Sequence, residues 1–320
     1  MKRIGGIILV FFLCFLVSCT QPIKMDTYTF YAMDTFISLQ FYNVDEYQQI
    51  GKEVEKIYLS YDQAANDFKE SSIDNIYSLN QNRTAVISEE LKELLEFSLK
   101  MKEETKGYFN PFIGRLSHLW KEALEENKLV SEEIIERELA IMKNTSLKIE
   151  ENQVTLLGDG NLDLGGVAKG YATQKAKEYL DSIECHRYLL NAGSSNLVLG
   201  DKAGGAFSVG LTRALKDGYF YTLTLKDAAI ATSSIREQHK KIDGNIYSHL
   251  LNPMTGKPAD FYETLSIIGQ DSSILDAYST ACFAMELETL KEFLSTKGLD
   301  FIVSKDGALL YKSEGVSLYA

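Results

Sequence analysis

The chain has 320 residues, of which 45% are hydrophobic and 24% charged, and a formal net charge of −12. That composition fits a folded globular chain with ample core and excludes disordered, collagenous and coiled-coil classes. The acidic balance argues against a broad polyanion-binding surface, so nucleic acid is not an expected partner.

Residues 1–18 read as an export signal. Lys2 and Arg3 form a positive start, and Ile7 to Val17 an apolar run too short to span a bilayer comfortably. Leu16-Val17-Ser18-Cys19 then matches a bacterial lipoprotein cleavage site, with Cys19 acylated and residues 19–26 as a tether. An ordinary cleaved signal or a single anchor helix is the other reading of this stretch. A lipid on Cys19 would hold the protein at the cell membrane, outside the cytoplasm. Cys185 and Cys282 could pair in that compartment, although the apolar run around Cys282 equally suits a buried thiol.

From Tyr28 to Phe41 the aromatic and β-branched alternation predicts a strand or hairpin. Val44 to Leu59, Ile73 to Leu79 and Glu89 to Thr105 have helical spacing, with Asp62 to Glu70 as a loop. A short element follows Pro111 through Trp120, and Lys121 to Lys143 reads as a charged surface helix. Val154 to Leu157 and Leu162 to Leu164 flank Asp159-Gly160, a hairpin signal. Ala168 to Ile183 is helical, and short strands follow at 188–190, 197–199, 207–211, 220–225 and 230–232. Tyr247 to Leu251 is expected to pair with Leu265 to Ile268, Asp276 to Leu294 to be helical, and 301–312 to close as a hairpin. Mixed helices and hairpins without regular βαβ alternation predict an α+β fold with antiparallel sheets.

Four segments could carry chemistry. In Asp163-Leu164-Gly165-Gly166-Val167-Ala168-Lys169-Gly170 a carboxylate and glycines precede a helix that opens on a lysine. Such a start favours anions, although the cluster also suits a plain tight turn. Neither the P-loop nor the dinucleotide fingerprint is present. Asp276 and Thr280 stand at i and i+4, so both oxygens can face one hard cation such as Mg²⁺; a dipole-stabilising carboxylate with a self-bonded threonine gives the same pattern. His249 precedes the Pro253-Met254-Thr255-Gly256 turn and could act as a base or be structural. Gly107 to Trp120 is an aromatic turn before a helix, able to wall a flat ring or simply fill core.

The order of these segments resembles the ApbE family, the FAD:protein FMN transferases. Met33-Asp34-Thr35 resembles its M-G-T element, Gly107 to Trp120 its G-x-F-D-P segment, and Asp163 to Ala172 its D-L-G-G-I-A-K-G-Y-A. Asn191-Ala192-Gly193, Ala231-Thr232-Ser233, His249 to Pro258 and Asp276 to Ala281 are similar to four further elements, in order. The resemblance implies T-fold-like modules, two of them intertwined over residues 27–320, with antiparallel sheets flanked by helices around a deep FAD cleft. It implies Mg²⁺ on Asp276, Thr280 and the Gly166 carbonyl, and FAD contacts at Met33, Tyr108, Phe109, Asn110, Asp163, Lys169 and Leu250. His249 falls at the histidine tied to catalysis, and Asp276 could share the role of base. The acceptor would be an exported or membrane redox protein bearing a flavinylated Thr or Ser. Asn66 resembles an asparagine near the adenine in members that hydrolyse FAD to FMN and AMP. Hydrolysis is therefore the alternative activity, and a non-catalytic flavin-binding lipoprotein the third reading. Departures are Asp34 for Gly in M-G-T, Asn110 for Asp in F-D-P, Ser194 for the second Gly of N-A-G-G, and Asn252 where Asp is frequent.

Overall fold

The computed structural model describes residues 23–71, 74–236 and 238–319. The proposed signal, Cys19 and Ile73 lie outside them. Strands β1 (Met25–Ala32) and β2 (Thr35–Tyr42) form the expected hairpin. Its two-residue turn, Met33-Asp34, has φ of 52° and 57°, as a type I′ connection requires. Helix α1 (Tyr47–Ala65) runs further than the sequence suggested, because Tyr61 and Ala64 are buried. Then come α2 (Ile76–Asn82), β3 (Thr84–Val86), α3 (Glu89–Glu104), α4 (Gly114–Glu125), α5 (Glu132–Lys143), β4 (Ser146–Glu150) and β5 (Gln153–Leu157). The single helix expected over 121–143 is broken by Asn127 at φ 55° and by Ser131, whose side chain caps α5.

The hairpin expected around Asp159-Gly160 does not form. Strand β5 instead pairs with β4 and β3. The Asn80 side chain bonds both the N–H and the carbonyl of Leu162, at 2.7 and 2.9 Å. One buried amide thus replaces the ladder that a strand would have needed.

The chain continues through α6 (Ala168–Ser182), β6 (Tyr188–Ala192), β7 (Asn196–Leu199), β8 (Phe207–Thr212), β9 (Tyr219–Leu225), β10 (Ala228–Ser234), β11 (His239–Ile242), β12 (Asn245–Ser248), β13 (Leu251–Asn252), β14 (Lys257–Pro258) and β15 (Thr264–Gly269). It ends with α7 (Ser272–Phe283), α8 (Leu287–Thr296), β16 (Asp300–Lys305), β17 (Ala308–Lys312) and β18 (Leu318–Tyr319). The pairing expected between 247–251 and 265–268 is not made. Both edges of β15 are taken by β10 and β16, so β12 pairs with β11 and β13 with β14. The helix expected over 276–294 stops at Phe283. There the Ala284 and Met285 carbonyls accept from Asn252 Nδ2 and Tyr262 Oη, at 3.1 and 2.8 Å.

An eight-stranded antiparallel sheet in the order β1-β2-β6-β7-β10-β15-β16-β17 organises the molecule. One face buries Ile37, Leu39, Phe41, Leu190, Ala231 and Leu265 under α1, α6 and α7. The other carries Tyr42, Leu199, Ile230 and Ile302 beneath the small sheet β18-β9-β8. This is the α+β architecture that the sequence predicted. Cys185 and Cys282 are both buried and free, so the disulfide considered for them is not formed.

Candidate active site

The site is assembled where α6 packs on α7. Residues 163–167 form the turn that starts α6, with the Asp163 carboxylate accepting the Gly165 N–H at 2.8 Å. The Thr280 hydroxyl, on α7, donates to the Gly166 carbonyl at 3.2 Å. Gly166 must be small, since a Cβ there would stand 2.9 Å from Thr280 Cγ2 and 3.4 Å from the Phe109 ring. One turn earlier on α7, Asp276 Oδ2 accepts the Gly170 N–H at 2.7 Å and Oδ1 accepts from Asn196 Nδ2 at 3.1 Å.

Asp276 is 7% exposed, and its carboxylate accepts from the Gly170 N–H and the Asn196 amide, both neutral. Burial pushes its carboxyl up from the usual aspartate range, and the Lys169 charge, the Gly170 N–H and the Asn196 amide only partly offset this. A buried carboxylate whose direct donors are neutral is a good oxygen ligand for a hard cation. Among the described residues no three His, Cys, Asp or Glu side chains cluster, so the available set is one carboxylate, one hydroxyl and one carbonyl. Such a set leaves positions for water or phosphate oxygens.

The aromatic turn lies alongside. The Phe109 N–H donates to Thr105 Oγ1, and the Asn110 side chain accepts the Phe112 N–H at 3.1 Å. Pro111 O accepts the Asp163 N–H at 2.9 Å, which pins this turn to the start of the α6 segment. Phe109 is buried in the main core, while Tyr108 and Asn110 are half-buried. Asn66 caps the loop after α1, its side-chain oxygen accepting the Phe68 and Lys69 N–H groups.

His249 is exposed on the loop between β12 and β13. Its Nδ1 is 3.1 Å from the Gln238 carbonyl. A carbonyl only accepts, so the ring donates from Nδ1. Leu250 O accepts the Ala259 N–H at 2.8 Å, and Asn252 reaches Ala284 beyond the end of α7. The histidine loop is thereby fixed about one helical turn past Thr280.

Residues 33–303 match the profile of the ApbE family. The chain belongs to the ApbE family. Among its relatives, the FAD:protein FMN transferase of Klebsiella pneumoniae (strain 342) is 24% identical over 258 residues, 76% of this chain and 80% of that one. That of Treponema pallidum (strain Nichols) is 27% identical over 232 residues, 65% and 64% of the two chains. The ApbE protein of Thermotoga maritima superposes with a TM-score of 0.80 at 25% identity, covering 91% of this chain and 97% of that one. The flavin transferase ApbE of Vibrio cholerae shares the fold, with a TM-score of 0.76 at 18% identity over 92% and 98% of the chains.

Membership in the ApbE family gives the departures a backbone meaning. The family's glycine in M-G-T is Asp34 here, at φ 57° in a left-handed turn position that aspartate tolerates better than most residues. Ser194 likewise sits at φ 61°, with its N–H donated to the Asn191 side chain. Sequence reasoning missed Asn196, which is fully buried and holds Asp276. The available signal was an amide opening the otherwise apolar run Asn196-Leu197-Val198-Leu199. It also missed Trp120, whose indole N–H donates to the Gly256 carbonyl at 2.7 Å and so braces the turn after His249.

Proposed function

We propose that this chain is a Mg²⁺-dependent enzyme that transfers FMN from FAD to a Thr or Ser side chain of an exported or membrane redox protein, releasing AMP. The observation that carries the reading is the junction of α6 and α7, where the Thr280 hydroxyl bonds the Gly166 carbonyl and, one turn away, the Asp276 carboxylate bonds the Gly170 N–H and feels the Lys169 charge. The names of the relatives support the reaction class.

In this reading Asp276, Thr280 and the Gly166 carbonyl hold Mg²⁺. The ion, when bound, neutralises charge on the diphosphate. Lys169 adds a positive charge at the helix start. Met33, Asn66, Tyr108, Phe109, Asn110, Asp163 and Leu250 hold the remainder of FAD. The acceptor hydroxyl oxygen bonds to the riboflavin-side phosphorus, the bond from that phosphorus to the bridging oxygen breaks, and AMP leaves with the electron pair. His249 Nε2 takes the hydroxyl proton, a role that Asp276 could share. Most of the rate comes from positioning and charge, as is usual for phosphoryl transfer.

The test is mass spectrometry of a Thr-bearing acceptor domain incubated with the enzyme, FAD and Mg²⁺, with AMP assayed in parallel. A covalent FMN adduct that EDTA abolishes is the expected result. AMP and free FMN beside an unmodified acceptor would instead favour hydrolysis with water as nucleophile, the reading that Asn66 and its loop point to. FAD bound without turnover in the presence of Mg²⁺ would leave only a flavin-binding role.

The same proposal places the protein at the cell membrane, outside the cytoplasm (in the periplasm or at the outer face), through lipid on Cys19. No described helix is long and apolar enough to cross a bilayer. Incorporation of labelled palmitate, lost in Cys19→Ser, tests the anchor.

A further inference from the structure

His118 joins three segments that the functional reading has not used together. From α4 its Nε2 lies 2.8 Å from Asp67 Oδ2, in the loop after α1. Its ring stacks on Phe68, centroids 5.1 Å apart and planes 20° from parallel. Lys121, one turn along α4, sets its ammonium 4.0 Å from the centre of the same Phe68 ring. Phe68 is 55% exposed, so this clamp rather than burial holds it. The third segment is the turn before α6. Asp163 is tied to the turn before α4 through its N–H, which the Pro111 carbonyl accepts at 2.9 Å, and it feels both the His118 and the Asp67 charge.

We propose that His118 is a positioning residue, which latches the loop 66–69 onto α4 near the Asp163 turn and so sets how tightly the site holds FAD; this rests on the reading of the site as a FAD site. Asp163 lies three residues before Gly166, and its carboxylate shapes the intervening turn through the Gly165 N–H. With His118 protonated, its charge attracts both carboxylates. With His118 neutral, Asp67 and Asp163 repel each other without that compensation. The charged groups around His118 are Asp67 from the loop after α1, Asp163 from the turn before α6, and Lys121 from α4 itself.

The hydrogen bond to Asp67 raises the His118 pKa above its ordinary 6.5, and burial and Lys121 oppose this only in part. The latch is therefore complete below pH 6.5 and weakens as the pH rises through the folded-state value. Exchanging a charge-assisted bond for a neutral one changes affinity about fivefold.

Two measurements test this on the whole folded protein. FAD affinity, read from flavin fluorescence, should weaken about fivefold between pH 6 and 9 in the wild type and stay flat in His118→Gln and Asp67→Asn. In turnover the difference between wild type and His118→Gln should fall on KM for FAD, with the pH profile of kcat the same in both. Without FAD, trypsin cleavage after Lys69, normalised to a reporter peptide, should accelerate with pH in the wild type and be fast at both pH values in the variants. Identical pH profiles in wild type and His118→Gln overturn the inference. A wild type with pH-dependent cleavage that binds no FAD overturns the flavin reading, and with it the claim on affinity, while the latch itself stands.

Discussion

The Gly170 N–H donates to Asp276 Oδ2 at 2.7 Å, and a Cβ on Gly170 would stand 2.2 Å from the Asp276 Cβ. The two helices that carry the site touch there with no room for a methyl group. Gly170→Ala must push α6 off α7, at a cost of about 1–3 kcal/mol for overpacking. Because the shift also parts Gly166 from Thr280, AMP release should fall more than the lowered melting temperature alone explains. Activity assayed well below the transition, beside a thermal melt, separates the two effects.

Asp276 should trade stability for function. Its carboxyl is raised by burial, so the native state holds its proton to higher pH than the unfolded chain does. For such an acid, stability declines as pH rises from the unfolded value through the folded one. At pH 7 in EDTA the burial of this carboxyl therefore opposes folding. Asp276→Asn should melt at the same temperature as the wild type or higher, yet show near-complete loss of AMP release. Added Mg²⁺ should stabilise the wild type and leave the variant unmoved. Full activity in the variant would sink the assignment of Asp276 as a ligand.

Much of the candidate site stands out as motif order, because Lys169, Asp276 and Thr280 stand on helices whose start or spacing is marked in the sequence, and Gly166 lies in the glycine turn that opens α6. Helix α3 shows the same clarity, with Ser88 capping it through the Leu91 N–H and two glutamates in its first turn. The failures have a common physical cause. Asn80 satisfies the Leu162 backbone across 82 residues, which turns an apparent hairpin strand into irregular chain. Asn196 reaches Asp276 across 80 residues, and no local pattern reveals that partner. His118 has no partner legible in its own segment, because Asp67 lies 51 residues away.

Glu138 gives a pH-dependent stability prediction away from the chemistry. Its side chain is fully buried on α5 and held by Arg115 of α4 at 2.6 Å and by Arg137 at 3.0 Å. The Arg115 hydrogen bond depresses its pKa below the ordinary 4.5, against the opposing effect of burial. The resulting stability is present above pH 4.5 and is lost as pH falls through the depressed folded value. Glu138→Gln should cost about 1–3 kcal/mol at pH 7. The gap in melting temperature between wild type and variant should narrow steadily in acid.

Trp120 offers a test of how the histidine loop is held. Trp120→Phe keeps most of the ring volume but deletes the N–H that the Gly256 carbonyl accepts. Gly256 sits at φ 69°, packed so closely on Ile135 that a Cβ would lie 2.7 Å from it. The unpaired carbonyl should lower stability by about 1 kcal/mol. The loosened turn should reduce kcat more than KM for FAD, since His249 and not the dinucleotide is displaced. Equal kcat in the two proteins would show that the brace is structural only.

The bonds from Asp276 to Gly170 and from Thr280 to Gly166 close loops of 106 and 114 residues. No segment of the chain holds these partners together on its own. Contacts of such long range form only after the entropy of closing the loops has been met. A half-folded chain can have α3 or the β1–β2 hairpin in place and still lack the oxygen cluster on which the proposed chemistry depends. Competence for catalysis is thus tied to completion of folding, and an intermediate exposed to FAD has no assembled site with which to act on it.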